Sequence, residues 1–173
     1  MTFSLRATIR EFVAPEHRLS VSSQLWQAGL QELRRRGEET HESGAFVLGH
    51  AQGARRCMRR FVYYDDLEPH CLESGVVVFN GSGYGPLWQL CRSTSLHVVA
   101  DIHTHPGLAR QSPDDRAHPM VAQGGHIAII IPRFASEPVR TEELGIYEYE
   151  GNHRWHSYLG SAAKRFLYIG RLG

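Results

Sequence analysis

Two histidines, His103 and His105, stand one residue apart in Asp101-Ile-His-Thr-His-Pro106, and Ser112-Pro-Asp-Asp115 follows shortly after. At the end of a strand, positions i and i+2 project to one face, so both imidazoles can reach one metal ion. Asp115, or with less reason Asp114, offers a third ligand from the next element. Neutral imidazole and carboxylate suit zinc. Three protein ligands leave a fourth position open, which marks catalytic rather than structural zinc. An ion held there would activate a water molecule and polarise a carbonyl. A general base is still needed to take the water's proton and deliver it to a leaving amine. Glu42, just ahead of the apolar run Gly44 to Gly49, is the best carboxylate outside the ligand set for that task. Ser112 could donate a hydrogen bond to a developing oxyanion. Its plainer reading is a helix cap, and the two roles are compatible.

The elements that must position these groups can be read from periodicity. Leu25, Trp26, Gly29, Leu30 and Leu33 recur at helical spacing between Ser22 and Arg36. Ser20, Ser22 or Ser23 could cap that helix and Gly37 could stop it. Its terminal Arg34-Arg35-Arg36 suits the dipole at a helix C-terminus. Strands are expected at 44–50, 58–64, 75–79 and 96–102, with 51–56 a polar turn. Pro86 marks the first turn of a second helix ending near Ser95. Ser112 and Pro113 look like a helix start. His126 to Ile131 is the most β-rich run and stops at Pro132. Residues 145–149 and 154–158 flank Glu150-Gly-Asn-His153 as a hairpin. Residues 1–19 read as strand or loop lead-in. Two helices among several strands make the class α+β, in a single domain over residues 1–173.

A formal charge of +1 gives no reason to expect nucleic acid as a partner. No apolar stretch is long enough to span a bilayer, and Met1 to Glu11 lacks the apolar core of a secretory signal. Cys57, Cys71 and Cys91 are odd in number and unpaired in spacing, which fits a reducing cytoplasm. Asp101 could orient a histidine ligand from behind, although strand-end charges are more often plain surface groups. His97, His118 and His126 read as structural, and Tyr84 and Trp88 as core rather than substrate contacts.

Taken together, Glu42 in Glu-Ser-Gly-Ala-Phe-Val-Leu-Gly, His103-Thr-His105-Pro106 and Ser112-Pro-Asp-Asp115 resemble the signature of the JAMM (MPN+) zinc isopeptidases. That signature is a glutamate on an early strand, then HxHP, then SxxD, and the likeness runs over roughly residues 40–131. The resemblance implies that Glu42 is the acid/base, that His103, His105 and Asp115 hold one zinc ion, and that Ser112 stabilises the oxyanion. It implies an MPN/JAB-like (cytidine-deaminase-like) domain, a curved mixed β-sheet flanked by helices. One departure stands out: nine residues separate His105 from Asp115, one fewer than in the eukaryotic members, so the loop at 107–111 is shortened. Ten residues between Asp115 and His126 leave no room for the second-zinc insertion of some members. The compact form resembles bacterial members that work beside ubiquitin-like conjugation genes, some in anti-phage operons. It implies a cytoplasmic hydrolase that frees a ubiquitin-like protein from a target or trims its precursor. Cognate conjugation enzymes are then possible partners, and the modifier's tail would lie as an added strand near the metal. Two other readings are a catalytically silent scaffold and a hydrolase releasing a sulfur-carrier adduct. Scaffold members typically lose the histidines, the aspartate or the glutamate, all of which are present here.

Overall fold

Alternation along one strand explains the architecture. In β2 (Gly44–Gln52), Ala45 and Val47 turn to one hydrophobic cluster, while Phe46 and Leu48 turn to another. Side chains alternate across a strand, so an unbroken apolar run means that both faces of the sheet are covered. The computed structural model describes residues 17–171. The lead-in and signal readings for residues 1–16 lie outside the described residues.

The chain is a mixed α+β structure built on a curled eight-stranded mixed sheet. After β1 (Leu19–Ser22) comes α1 (Ser23–Arg36), then β2 and β3 (Arg55–Tyr63), the single turn α2 (Tyr64–Leu67) and α3 (Tyr84–Thr94). β4 (His97–Thr104), α4 (Pro113–Ala117), β5 (Ile127–Ile131), β6 (Gly145–Gly151), β7 (Arg154–Tyr158), α5 (Ser161–Phe166) and β8 (Leu167–Gly170) complete it. The strand order is β7-β6-β5-β4-β2-β3-β1-β8. β2 runs antiparallel to β3 and β4, whereas β4 and β5 are parallel. α1 and α5 pack Trp26, Leu33, Ala163 and Phe166 against the face formed by Ala45, Val47, Ile102, Ile127 and Ile129. α2 and α3 cover the other face through Tyr64 and Leu87.

The sheet curls until distant strands meet. Arg18, beside β1, grips Glu148 on β6 with two hydrogen bonds of 2.6 Å. These strands are far apart in the sheet order, so only curvature brings them together. Tyr158 on β7 donates to Glu148 and packs on Phe166 of α5.

Local signals behave as their chemistry requires. Ser22 is the N-cap of α1, its side chain accepting from Leu25 N–H at 3.2 Å, a contact typically worth about 1 kcal/mol. Gly37 caps the other end. The β6–β7 hairpin forms where expected, with Asn152 and His153 both at positive φ. Two readings are corrected. Residues 51–56 are mostly strand, since β2 and β3 pair from Gln52 and Arg55 outward and leave a tight turn. Residues 75–79 form a bend and an irregular stretch rather than a strand, with Gly75 at φ 84°: Val77 N–H goes to the Glu42 carboxylate, Val78 N–H goes to Cys71 O, and Val76 and Val78 stay exposed. α5 and β8 carry no expectation from sequence; Leu19, at the end of the expected lead-in, opens β1, and Tyr64, expected to end a strand, opens α2.

Candidate metal centre

β4 delivers the histidines. Asp101 pairs with Phe46 and Ala128, and His103 with Gly44 and Ile130, so both side chains project from the sheet face opposite Ile102. His105 lies just past the strand, but its N–H donates to Ile131 O at 2.9 Å and its carbonyl accepts from Phe134 N–H at 2.9 Å. The second histidine is therefore fixed by backbone on both sides. A side chain at Gly44 would strike the Tyr64 ring and Ile102 O, so the glycine next to His103 keeps the site's floor close.

Asp115 arrives from α4 through a capping box. Ser112 Oγ accepts from Asp115 N–H at 3.1 Å, and Asp115 Oδ2 accepts from Ser112 N–H at 2.6 Å. The preceding loop is pinned by Tyr147, whose hydroxyl donates to Ala109 O at 3.0 Å and accepts from Gln111 N–H at 3.3 Å. Glu42 is aimed by its neighbour: Ser43 N–H donates to Thr104 Oγ1, and Thr104 N–H donates to Ser43 O, both at 2.9 Å.

The expected groups converge. His103 Nε2 and His105 Nε2 stand 3.0 Å apart; Asp115 Oδ1 lies 3.3 Å from His103 Nε2, and its Oδ2 lies 3.3 Å from His105 Nε2. Donors held about 2.0–2.1 Å from a tetrahedral ion stand about 3.3 Å apart, so the donor set suits an ion of that size. Among the described residues, His103, His105 and Asp115 are the group whose donor atoms gather closely enough to hold a metal. Glu42 Oε1 lies 3.8 Å from His105 Nε2, beside the donors rather than among them. Asp114 lines the adjoining cavity but is not one of the gathered donors. Of the two aspartates, Asp115 is the one whose carboxylate joins the gathered donors.

Electrostatics make the cluster hungry for a cation. Both histidines are 8% exposed. Burial opposes charging His103, yet Asp101 and Asp115 outweigh it and push its pKa up to about 10. Burial likewise opposes ionising Asp115, but the two imidazoles and Ser112 N–H hold its carboxyl well below the usual range. Two imidazole nitrogens in contact repel unless a proton or metal ion sits with them.

A cavity of about 470 Å³ opens beside the donors. Glu42, His103 and Asp115 share its wall with Val77 to Asn80, Gln111, His118 and Trp155. Gln111 Oε1 is buried without a hydrogen-bond partner. Sequence reading gave no role to Gln111 or Trp155 and left His118 structural; no spacing rule connects them to the histidines. Tyr84 is core, as expected, packed against Phe46 and Phe79. Trp88, also expected in the core, is instead 40% exposed and stacks on Tyr84 at the edge of a different cavity.

No family model matches the chain. It is 28% identical over 74 residues to a probable metalloprotease of Sinorhizobium fredii, a match spanning 43% of this chain and 46% of that one. The solution structure of a Desulfitobacterium hafniense protein superposes with a TM-score of 0.58 at 13% identity, covering 87% of this chain and 92% of the other. That likeness speaks to fold alone. That relative is described as a probable metalloprotease, and the clustered donors of this chain are of the kind that can hold a metal ion. No helix among the described residues is long and apolar enough to cross a membrane.

Proposed function

We propose that this chain is a JAMM-type zinc hydrolase, one MPN/JAB-like domain over residues 1–173. Its substrate is the amide bond after the C-terminus of a ubiquitin-like protein, cleaved to free the protein from a target or to trim its precursor. The observation that carries the reading is the meeting of His103, His105 and Asp115 with the Glu42 carboxylate alongside. A scaffold has no need of that fourth group.

His103, His105 and Asp115 would hold the zinc ion, which when bound supplies an activated water and a polarised carbonyl. Glu42 takes the water's proton and hands it to the leaving amine. Its second oxygen accepts Val77 N–H at 3.3 Å, which fixes the carboxylate's direction. Ser112 Oγ uses a lone pair on Asp115 N–H, so its own proton is free to meet the carbonyl oxygen as charge develops. The modifier's tail lies in the cavity beside Val77 to Phe79, as an added strand. Gln111 Oε1 accepts an N–H from that tail. Cognate conjugation enzymes are the partners, and a bacterial cytoplasm, in some cases an anti-phage operon, is the setting. These last points rest on the motif resemblance.

Elemental mass spectrometry of the purified chain, without added metal, is the first test. About one zinc per chain, removable by a chelator, supports the site and leads to cleavage assays on ubiquitin-like fusions. No metal bound, and none taken up on addition, rejects the enzyme and favours the silent scaffold.

A further inference from the structure

A second carboxylate stands behind the histidine pair. Asp101 sits two residues ahead of His103 on β4 and is 1% exposed. Its Oδ1 accepts from His126 Nε2. Its Oδ2 lies 3.5 Å from the Tyr64 hydroxyl and 4.0 Å from His103 Nδ1. The three partners come from three places in the fold: the approach to β5, the first residue of α2, and β4 itself. Burying a carboxylate is costly unless it is paired and hydrogen-bonded. Here three groups converge on one that the proposed reaction does not use.

The orientation of His103 suggests what it does. His103 turns Nε2 to His105 and Asp115, so Nδ1 faces Asp101. A neutral imidazole has one N–H and one lone pair. A carboxylate on the Nδ1 side keeps the N–H there and leaves the Nε2 lone pair for a metal ion. His126 and Tyr64 stop the carboxylate from swinging away. We propose that Asp101 is a positioning residue, holding His103 as the Nδ1–H tautomer with Nε2 turned to the metal, while His126 and Tyr64 hold Asp101. The inference rests on the metal reading of His103, His105 and Asp115.

Cobalt(II) titration in competition with a chelator tests it without any substrate. Asp101→Asn keeps the shape and removes the charge. It is expected to fold, as judged by circular dichroism, to bind cobalt about 10–100-fold more weakly, and to change the cobalt absorption spectrum. His126→Ala is expected to weaken cobalt binding too. His126→Gln keeps a donor for Asp101 and is expected to restore most of the affinity. His126 also lines a separate cavity of about 280 Å³, so shortening it opens onto existing space. A folded Asp101→Asn chain with the affinity and spectrum of the parent would overturn the proposal. Should that variant not fold, equal affinity in the parent, His126→Ala and His126→Gln would overturn it instead. Failure of the parent chain to take up cobalt would sink the metal reading itself, and this inference with it.

Discussion

Ser112 and Asp115 hold each other: each side chain accepts the other's backbone N–H, at 3.1 and 2.6 Å. The helix cap and the proposed metal ligand are thus one piece of structure. Removing the hydroxyl in Ser112→Ala should cost about 0.5–2 kcal/mol locally and free Asp115 to turn. Metal affinity is expected to fall in Ser112→Ala and to survive in Ser112→Thr. If the hydroxyl also meets the oxyanion, metal-saturated Ser112→Ala should lose about 10²–10³ in kcat. A normal kcat at saturating metal would confine Ser112 to the capping role.

Glu42 is the residue at which the proposed proton transfer can be told apart from the proposed metal binding. Its carboxylate is 3.8 Å from His105 Nε2 and is also held by Val77 N–H. Glu42→Gln preserves that acceptor and removes the base. The variant should keep its metal and lose at least about 10²-fold in hydrolysis. Metal content and turnover, measured on one preparation, decide the matter. Loss of metal along with activity would make Glu42 a ligand or a structural group.

Legibility in the sequence followed the range of the interaction. His103 and His105 at strand spacing, Ser112 with Asp115, the Ser22 cap and the β6–β7 hairpin are all local, and each reads from a few neighbours. β1 and β8 are four-residue strands whose parallel pairing joins Leu19 to Leu167, and no periodicity reveals so distant a match. Val76 to Phe79 has strand composition, but the N–H groups of Val77 and Val78 go to Glu42 and Cys71 instead of a ladder. The site shows the same division. The three donors and Glu42 stand out as a motif. Tyr64 and His126, which meet on Asp101, follow no spacing rule that ties them to it and become its neighbours only when the sheet is assembled.

The metal-free site should make stability depend on pH in two directions. His103 is held up to about 10 against an ordinary 6.5, with burial overcome by Asp101 and Asp115. Its contribution is therefore complete below about pH 6.5 and disappears as pH rises through about 10. Asp115 is held below its ordinary 3.8 despite burial, by His103 and His105. Its contribution is present above that value and is lost as the pH falls through its folded-state pKa. Melting temperature in chelator should thus decline from neutral pH towards pH 10. With metal bound, His103 has already given up its proton, so the alkaline decline should be shallower and metal affinity should rise over the same range. Parallel alkaline slopes with and without metal would sink the idea.

The turn behind His105 is expected to answer unusually to glycine. Arg133, Phe134 and Ala135 all have left-handed backbone, with φ of 54°, 51° and 56°. Arg133 N–H donates to Gly107 O at 3.0 Å and Phe134 N–H to His105 O at 2.9 Å, so the strained turn clamps the histidine loop. A left-handed residue other than glycine costs about 1–2 kcal/mol. Ala135→Gly relieves that at one position. Against it stand a buried methyl, about 0.8 kcal/mol, and the extra freedom of the unfolded chain, about 0.5–1 kcal/mol. The terms nearly cancel, and the melting temperature should stay within about 2 °C of the parent. With ordinary backbone the same substitution would lose about 1.5 kcal/mol, or roughly 3–6 °C. Ala135→Val adds a branched side chain to the left-handed position and should lower both the melting temperature and metal affinity through His105. A drop of several degrees in Ala135→Gly would mean that the turn carries no such strain.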